Sequence, residues 1–322
     1  MLRIVFAGTP QFALPALRAL ERSPHALVGV LTQPDRPAGR GRATQPSPVK
    51  QLAQQLALPL SQPARLDSAE QCAQLMHWAP DLLVVVAYGL ILPPAVLALP
   101  PLGCINVHAS MLPRWRGAAP IQHAILAGDT HTGVSIMQMH AALDTGPIFA
   151  AARVSIDESV TAADLSEQLA RLGAEALLTT LGALQAGDAR AQPQSEQDAT
   201  YAPKIDKRQA RIDWAQDASR IARQVRAFNP WPVAHTSWRG TPLRIWEAQP
   251  LADRGAGTQP GAAAQPGAAP PGTVLALGND RLHISCGRGV LAVTKLQLAG
   301  RRVLGAREFA GGTALVGERL GA

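Results

Sequence analysis

Asn106 and His108 stand two residues apart at the end of an apolar run, and Asp144 follows within Leu143-Asp144-Thr145-Gly146-Pro147-Ile148. Side chains in a β-strand alternate between faces, so Asn106 and His108 share one face while Ile105 and Val107 turn to the other, toward a core. A polar pair on a buried strand costs free energy unless its hydrogen bonds are satisfied or the groups are put to use. An amide can donate to a developing oxyanion, and an imidazole titrating near neutrality can move protons once a carboxylate orients it. Asn, His and Asp without a Ser or Cys nucleophile suggest direct transfer of a group and no covalent intermediate. Taken alone, Asn106 and His108 can equally be a satisfied strand-end pair, and Asp144 joins them only if the fold brings it near.

Other chemistries fit less well. Gly8-Thr9-Pro10-Gln11-Phe12 lacks the second and third glycines of a dinucleotide fingerprint, so a nicotinamide cofactor has no support. Asp144-Thr145-Gly146 matches the aspartic-protease triplet, but that chemistry needs two carboxylates sharing a proton, and the triplet occurs once. His123, His131 and His140 are spaced unlike usual metal ligands, with no Cys or acidic pair beside them, so no metal is expected. Cys72, Cys104 and Cys286 show neither zinc-knuckle nor disulfide spacing, which fits a reducing cytoplasm.

The elements that must hold the three residues can be read from the hydrophobic pattern. Residues 2–7 read as a buried strand, followed by a helix through Leu14, Leu17 and Leu20. His25 to Thr32 reads as a second strand and Val49 to Ala57 as a helix. Leu82 to Ala87 is continuously apolar, the mark of a strand buried on both faces. Cys104 to His108 and Gly133 to Met139 are further strands, with helices at Ile121 to Ala127 and over 162–184. This alternation predicts an open α/β sheet with helices on both faces and ligands beyond the carboxyl ends of its strands. Gln192 to Gln197 is polar and reads as loose. A second regime follows, with a helix at Ala218 to Ala227. Short strands are predicted at Ala234–Trp238, Leu243–Ala248, Gly272–Leu277, Leu282–Cys286 and Leu291–Leu298. That spacing predicts a small antiparallel barrel. Residues 254–272, mostly Gly, Ala, Pro and Gln, read as a low-complexity insertion.

With 322 residues and 47% hydrophobic content, the chain can bury two cores. The apolar run Leu82 to Leu92 is too short to span a bilayer, and the N-terminus is too short in its apolar part for a signal peptide. Charge is unevenly spread. Residues 1–200 carry 13 Lys and Arg against 15 Asp and Glu, and residues 201–322 carry 17 against 8. The C-terminal part is therefore a candidate polyanion-binding module, although an Arg-biased surface would look similar. The loop from Gln33 to Lys50 holds Arg36, Arg40, Arg42 and Lys50 among glycines and prolines, with Asp35 the only acid. Arginines on a long loop suit a phosphate backbone.

The run Asn106-Val107-His108-Ala109-Ser110-Met111-Leu112-Pro113-Arg114-Trp115-Arg116-Gly117-Ala118-Ala119-Pro120-Ile121 closely resembles the formyltetrahydrofolate-dependent transformylases. Phe6-Ala7-Gly8-Thr9-Pro10-Gln11-Phe12, Gln33-Pro34-Asp35-Arg36-Pro37-Ala38-Gly39-Arg40-Gly41, Pro46-Ser47-Pro48-Val49-Lys50, Tyr201-Ala202-Pro203-Lys204-Ile205 and Asn229-Pro230-Trp231-Pro232 extend the resemblance over nearly the whole chain. It implies a Rossmann-like, mostly parallel catalytic domain over residues 1–190, a linker over 191–209 and an OB-like barrel over 210–322. The implied donor is 10-formyltetrahydrofolate, with no metal, and the implied acceptor is the α-amine of methionine on initiator tRNA. Asn106, His108 and Asp144 become the implied catalytic set. Tyr88, Gly89, Ser110, Met111, Leu112 and Pro113 become folate-pocket positions, and Arg36, Arg40, Arg42, Lys204 and Lys207 become tRNA contacts. A monomer is expected. Two positions depart from the family's pattern: Met111 replaces a usual Leu, and Ala142 replaces a usual Gly, a change that strains the backbone if φ is positive there. The alternatives are a formyltransferase for a small amine, such as a nucleotide sugar, and an idle nucleic-acid-binding protein of the same architecture.

Overall fold

The computed structural model describes residues 1–37, 44–251, 269–311 and 314–321. It divides into two compact units. The first comprises Met1–Pro120, His131–Ser155 and Ser166–Pro203, and the second Ile121–Thr130, Ile156–Leu165 and Lys204–Ala322. The stretch 191–209, expected as a linker, is thus shared between them at Pro203.

In chain order the strands of the first unit are β1 (Arg3–Gly8), β2 (Ala26–Leu31), the two-residue β3 (Arg36–Pro37) and β4 (Thr44–Gln45), β5 (Leu60–Ser61), β6 (Leu82–Val86), β7 (Cys104–His108), the short β8 (Arg116–Gly117), β9 (His131–Gln138), β10 (Ile148–Ser155) and β11 (Tyr201–Ala202). Helices α1 (Leu14–Glu21), α2 (Pro48–Gln55), α3 (Ala69–Trp78) and α4 (Pro94–Leu97) precede β7; of the two that follow it, α5 (Pro120–Ala127) groups from Ile121 onward with the second unit and α6 (Ala162–Ala186) mostly with the first. The main sheet has the order β10-β9-β7-β6-β1-β2-β5. It is parallel from β5 to β7, and β9 and β10 complete it antiparallel. Alternation splits the strands between two cores. Ile4, Phe6, Val84, Ile105 and Val107 pack with Leu17 of α1 and Leu177 and Leu181 of α6. Val5, Ala7, Leu83, Val85 and Cys104 pack on the opposite face with Trp78 of α3. Both faces are covered, which is why β6 is apolar at every position.

From β1 the chain builds β2 and β5 on one side, then returns to build β6 and β7 on the other. The carboxyl ends of β1 and β6 therefore flank the crevice where such sheets bind ligands. Thr9, just after β1, donates through Oγ1 to the Tyr88 carbonyl, just after β6, at 2.8 Å. The edge strand β10 has no counterpart in the sequence-based expectation. Its Ala-rich core, Ile148-Phe149-Ala150-Ala151-Ala152, has low strand propensity, and pairing with β9 outweighs it.

In the second unit, helix α7 (Ala218–Ala227) packs Ile221, Ala222 and Val225 onto an antiparallel sheet. Its strands are β12 (His235–Trp238), β13 (Thr241–Pro250), β14 (Val274–Gly278), β15 (Arg281–Ser285), β16 (Val290–Leu298) and β17 (Leu304–Gly305), followed by α8 (Ala306–Ala310). The sheet order is β12-β13-β16-β15-β14, with β17 on β16, curled as a half-barrel. Residues 254–268 of the expected insertion lie outside the described residues. Among the described residues no helix is long and apolar enough to cross a membrane.

Candidate active site

β7 carries Asn106 and His108 on the face opposite Ile105 and Val107, at the strand's carboxyl end. Asn106 is half-buried and His108 is 5% exposed. The turn after β9 brings in Asp144, whose Oδ2 lies 3.7 Å from His108 Nδ1 and accepts from the Gly117 N–H at 2.8 Å. His108 Nε2 lies 3.0 Å from the Trp115 carbonyl oxygen. A carbonyl only accepts, so in this arrangement Nε2 carries the proton and Nδ1 faces the carboxylate.

Asp144 and Trp115 both have left-handed backbones, with φ of 52° and 65°. Each non-glycine residue held there costs about 1–2 kcal/mol, with Asp among the better tolerated types. Ala142, which replaces the family's usual Gly, is not among the positive-φ residues. The strain falls at Asp144 itself, so the Gly-to-Ala departure carries no left-handed penalty.

The segment after β7 is internally bonded. Ser110 is fully buried, and its Oγ donates to the Arg114 carbonyl at 2.6 Å. Its own carbonyl accepts from Ser135 Oγ at 2.8 Å, and Ser135 Oγ accepts from the Leu112 N–H at 3.1 Å. Met111 sulfur packs where a side chain on Gly133 would stand. Leu112 is buried and Pro113 half-buried across a cis bond. At the end of β6 the Tyr88 ring sits in the apolar core cluster, and burial pushes its phenol above the ordinary value. Its carbonyl accepts from Thr9 Oγ1 and from Gln33 Nε2. Gly89 has φ +82° with the Gln33 amide packed against it, leaving no room for a Cβ. The side chains of Tyr88 and Ser110 are thus committed to the protein, and these positions can meet a ligand only through their main chain.

Gln192 to Gln197, expected to be loose, is instead bonded along the site. Ile148 and Gln192 exchange two backbone hydrogen bonds at 2.8 Å. Arg116, fully buried, pairs its two terminal guanidinium nitrogens with Glu196 at 2.9 and 2.8 Å, which holds the Glu196 carboxyl below its ordinary value. Thr200 Oγ1 accepts from the Trp115 N–H at 2.9 Å, and the Thr200 carbonyl accepts from the Arg116 N–H at 2.8 Å. β11 then runs parallel to β8. The sequence signal for this was the polar alternation Gln192, Gln194, Glu196, which reads as a strand edge as readily as a linker.

Of the basic residues, Arg36, Lys204 and Lys207 are exposed, while Arg40 and Arg42 lie outside the described residues. Lys50 is engaged: its Nζ lies 2.6 Å from Asp35 Oδ2, and Gln62 Nε2 donates to Asp35 Oδ1 at 2.8 Å. The Lys50 and Gln62 hydrogen bonds hold the Asp35 carboxyl below its ordinary value.

Residues 2–181 match the formyl transferase family, and residues 204–314 match the formyl transferase C-terminal domain. The chain belongs to the formyl transferase family. Among its relatives, the methionyl-tRNA formyltransferase of Methylococcus capsulatus is 52% identical over 320 residues, 99% of this chain and 100% of that one. That of Stenotrophomonas maltophilia is 53% identical over 96% of each chain. The fold is also that of an N-formyltransferase from Helicobacter canadensis solved with folinic acid and dTDP-3-aminofucose. That structure is 16% identical, with a TM-score of 0.65 over 91% of this chain and 98% of that one.

Proposed function

We propose that this formyl transferase moves the formyl group of 10-formyltetrahydrofolate to the α-amine of methionine on initiator methionyl-tRNA, a cytoplasmic step of translation initiation. The observation carrying this reading is identity above 50% to methionyl-tRNA formyltransferases across both units, with Asn106, His108 and Asp144 gathered at one strand end. The basic balance of residues 201–322 favours tRNA over a small amine.

An α-amine has a pKa near ~8, so a useful fraction is unprotonated at neutral pH and needs no strong base. The amine nitrogen bonds to the formyl carbon and the carbonyl electron pair moves onto oxygen. The bond from that carbon to the folate nitrogen then breaks, as the surplus proton passes from the amine to that nitrogen. The barrier lies in the charge-separated intermediate. Asn106 donates to the oxyanion, His108 stabilises it once its Nε2 proton turns from the Trp115 carbonyl to the oxyanion, and Asp144 steadies the ring from the Nδ1 side and helps carry the proton. Main-chain groups around Tyr88, Gly89 and Ser110, with the side chains of Met111, Leu112 and Pro113, line the folate site. Arg36, Arg40, Arg42, Lys204 and Lys207 meet tRNA phosphates.

One assay tests the reading: formyl transfer from 10-formyltetrahydrofolate to charged initiator tRNA, to uncharged tRNA and to a nucleotide-linked amino sugar. Transfer to charged tRNA alone is expected. Transfer to the sugar with none to methionyl-tRNA would refute the acceptor.

A further inference from the structure

Asp144 occupies an unfavourable backbone conformation, and its carboxylate must still face both His108 and the Gly117 N–H. Its turn is gripped from two sides. On one side Gly146 lies so close to the Gln138 carbonyl that a Cβ there would collide, and the Gln138 N–H donates to the Pro147 carbonyl at 2.9 Å. On the other side is Gln194, fifty residues away in the chain. Its Nε2 donates to the Asp144 carbonyl at 2.8 Å and to the Gly146 carbonyl at 2.7 Å. Its Oε1 accepts from Arg116 Nε at 3.0 Å. The amide orientation is unambiguous, since carbonyls only accept and a guanidinium only donates.

Gln194 therefore links the two segments that define the carboxylate's position, bonding to backbone in one and to the Arg116 side chain in the other. One segment is the Asp144 turn. The other is the Arg116-Gly117 strand, whose Gly117 N–H holds Asp144 Oδ2. Arg116 is itself fixed by Glu196, so the amide is braced and not free to swing. We propose that Gln194 is a positioning residue that holds Asp144 against His108. This deepens the proposed transfer reaction and rests on that reading for its kinetic consequence. Gln194 touches neither His108 nor any reacting atom in this arrangement, and acts only through Asp144.

The test is a double-mutant cycle with Asp144→Asn. Gln194→Met keeps the side-chain length without its hydrogen bonds, and Gln194→Glu keeps the acceptor for Arg116 but loses both donations. Each is expected to lower kcat by about 10- to 100-fold, as small misplacements of reacting groups do, while KM for donor and acceptor stays within about two-fold. In the Asp144→Asn background the same changes are expected to cost less than about two-fold, because non-additivity is the mark of action through one group. Equal losses in both backgrounds, a change confined to KM, or an unchanged kcat would overturn the proposal. Should Gln194→Met fail to fold, Gln194→Glu carries the cycle. A readout independent of turnover separates this proposal from the choice of acceptor: hydrogen exchange at the Gly117 amide. It is expected to quicken about ten-fold in Gln194→Met while amides of β1 are unchanged. Unchanged Gly117 exchange would overturn the positioning role whichever acceptor is used.

Discussion

His108 donates from Nε2 to the carbonyl oxygen of Trp115 across 3.0 Å. Trp115, which receives that bond, is itself held in a left-handed backbone conformation. The other ring nitrogen faces Asp144 Oδ2 from 3.7 Å, so one backbone carbonyl and one carboxylate bracket the imidazole.

Asp144→Asn keeps the side-chain shape and removes the charge. It should lower kcat about 100-fold or more, the usual scale for a lost proton-transfer partner. A pH profile of kcat checks it, and full activity across pH would remove Asp144 from the mechanism.

Asn106→Ala removes one oxyanion donor and should cost roughly a hundred- to a thousand-fold in kcat with little change in either KM. Steady-state kinetics with both substrates varied would reveal a KM-only effect, which would reassign Asn106 to ground-state binding.

Much of this was legible in sequence. β6 declared itself by an unbroken apolar run and β7 by the alternation Cys104-Ile105-Asn106-Val107-His108, whose two-residue spacing placed Asn106 and His108 on one face. The approach of Asp144 to His108 was not legible, because it depends on the antiparallel placement of β9 beside β7. Gln194 was hidden for a different reason. Its partners are main-chain carbonyls fifty residues away, and main-chain groups leave no trace in residue type. For Tyr88 and Ser110 the resemblance gives a place in the pocket but not the direction of the side chains, both of which turn into the protein.

Arg42→Ala should raise the apparent KM for methionyl-tRNA while leaving that for the folate donor unchanged. If the side chain neutralises one phosphate, the slope of log affinity against log salt should fall by about 1. An unaltered tRNA dependence would remove Arg42 from the acceptor site.

Gly146→Ala places a methyl group against the Gln138 carbonyl, and backbone cannot yield as a side chain tip would. A loss of about 1–3 kcal/mol of stability is expected, as for other overpacked sites. Denaturant unfolding measures it, and a neutral result would mean the turn can open.

The Asp35–Lys50 pair predicts a pH signature. A depressed folded value means its stabilisation is fully present above the ordinary carboxylate pKa, near ~4, and is lost as pH falls through the folded value. Asp35→Asn should therefore melt below the unaltered protein at pH 7, with the two converging in acid. Melting curves between neutral and acidic pH check this, and a constant gap would contradict it.

The chain passes between its two compact units five times, because Ile121–Thr130 and Ile156–Leu165 group with the C-terminal residues. Grafting residues 204–322 from a relative would therefore leave two native segments facing a foreign core. Chimeras that exchange acceptor specificity should be cut in three pieces, with the inserts at 121–130 and 156–165 travelling alongside the C-terminal module.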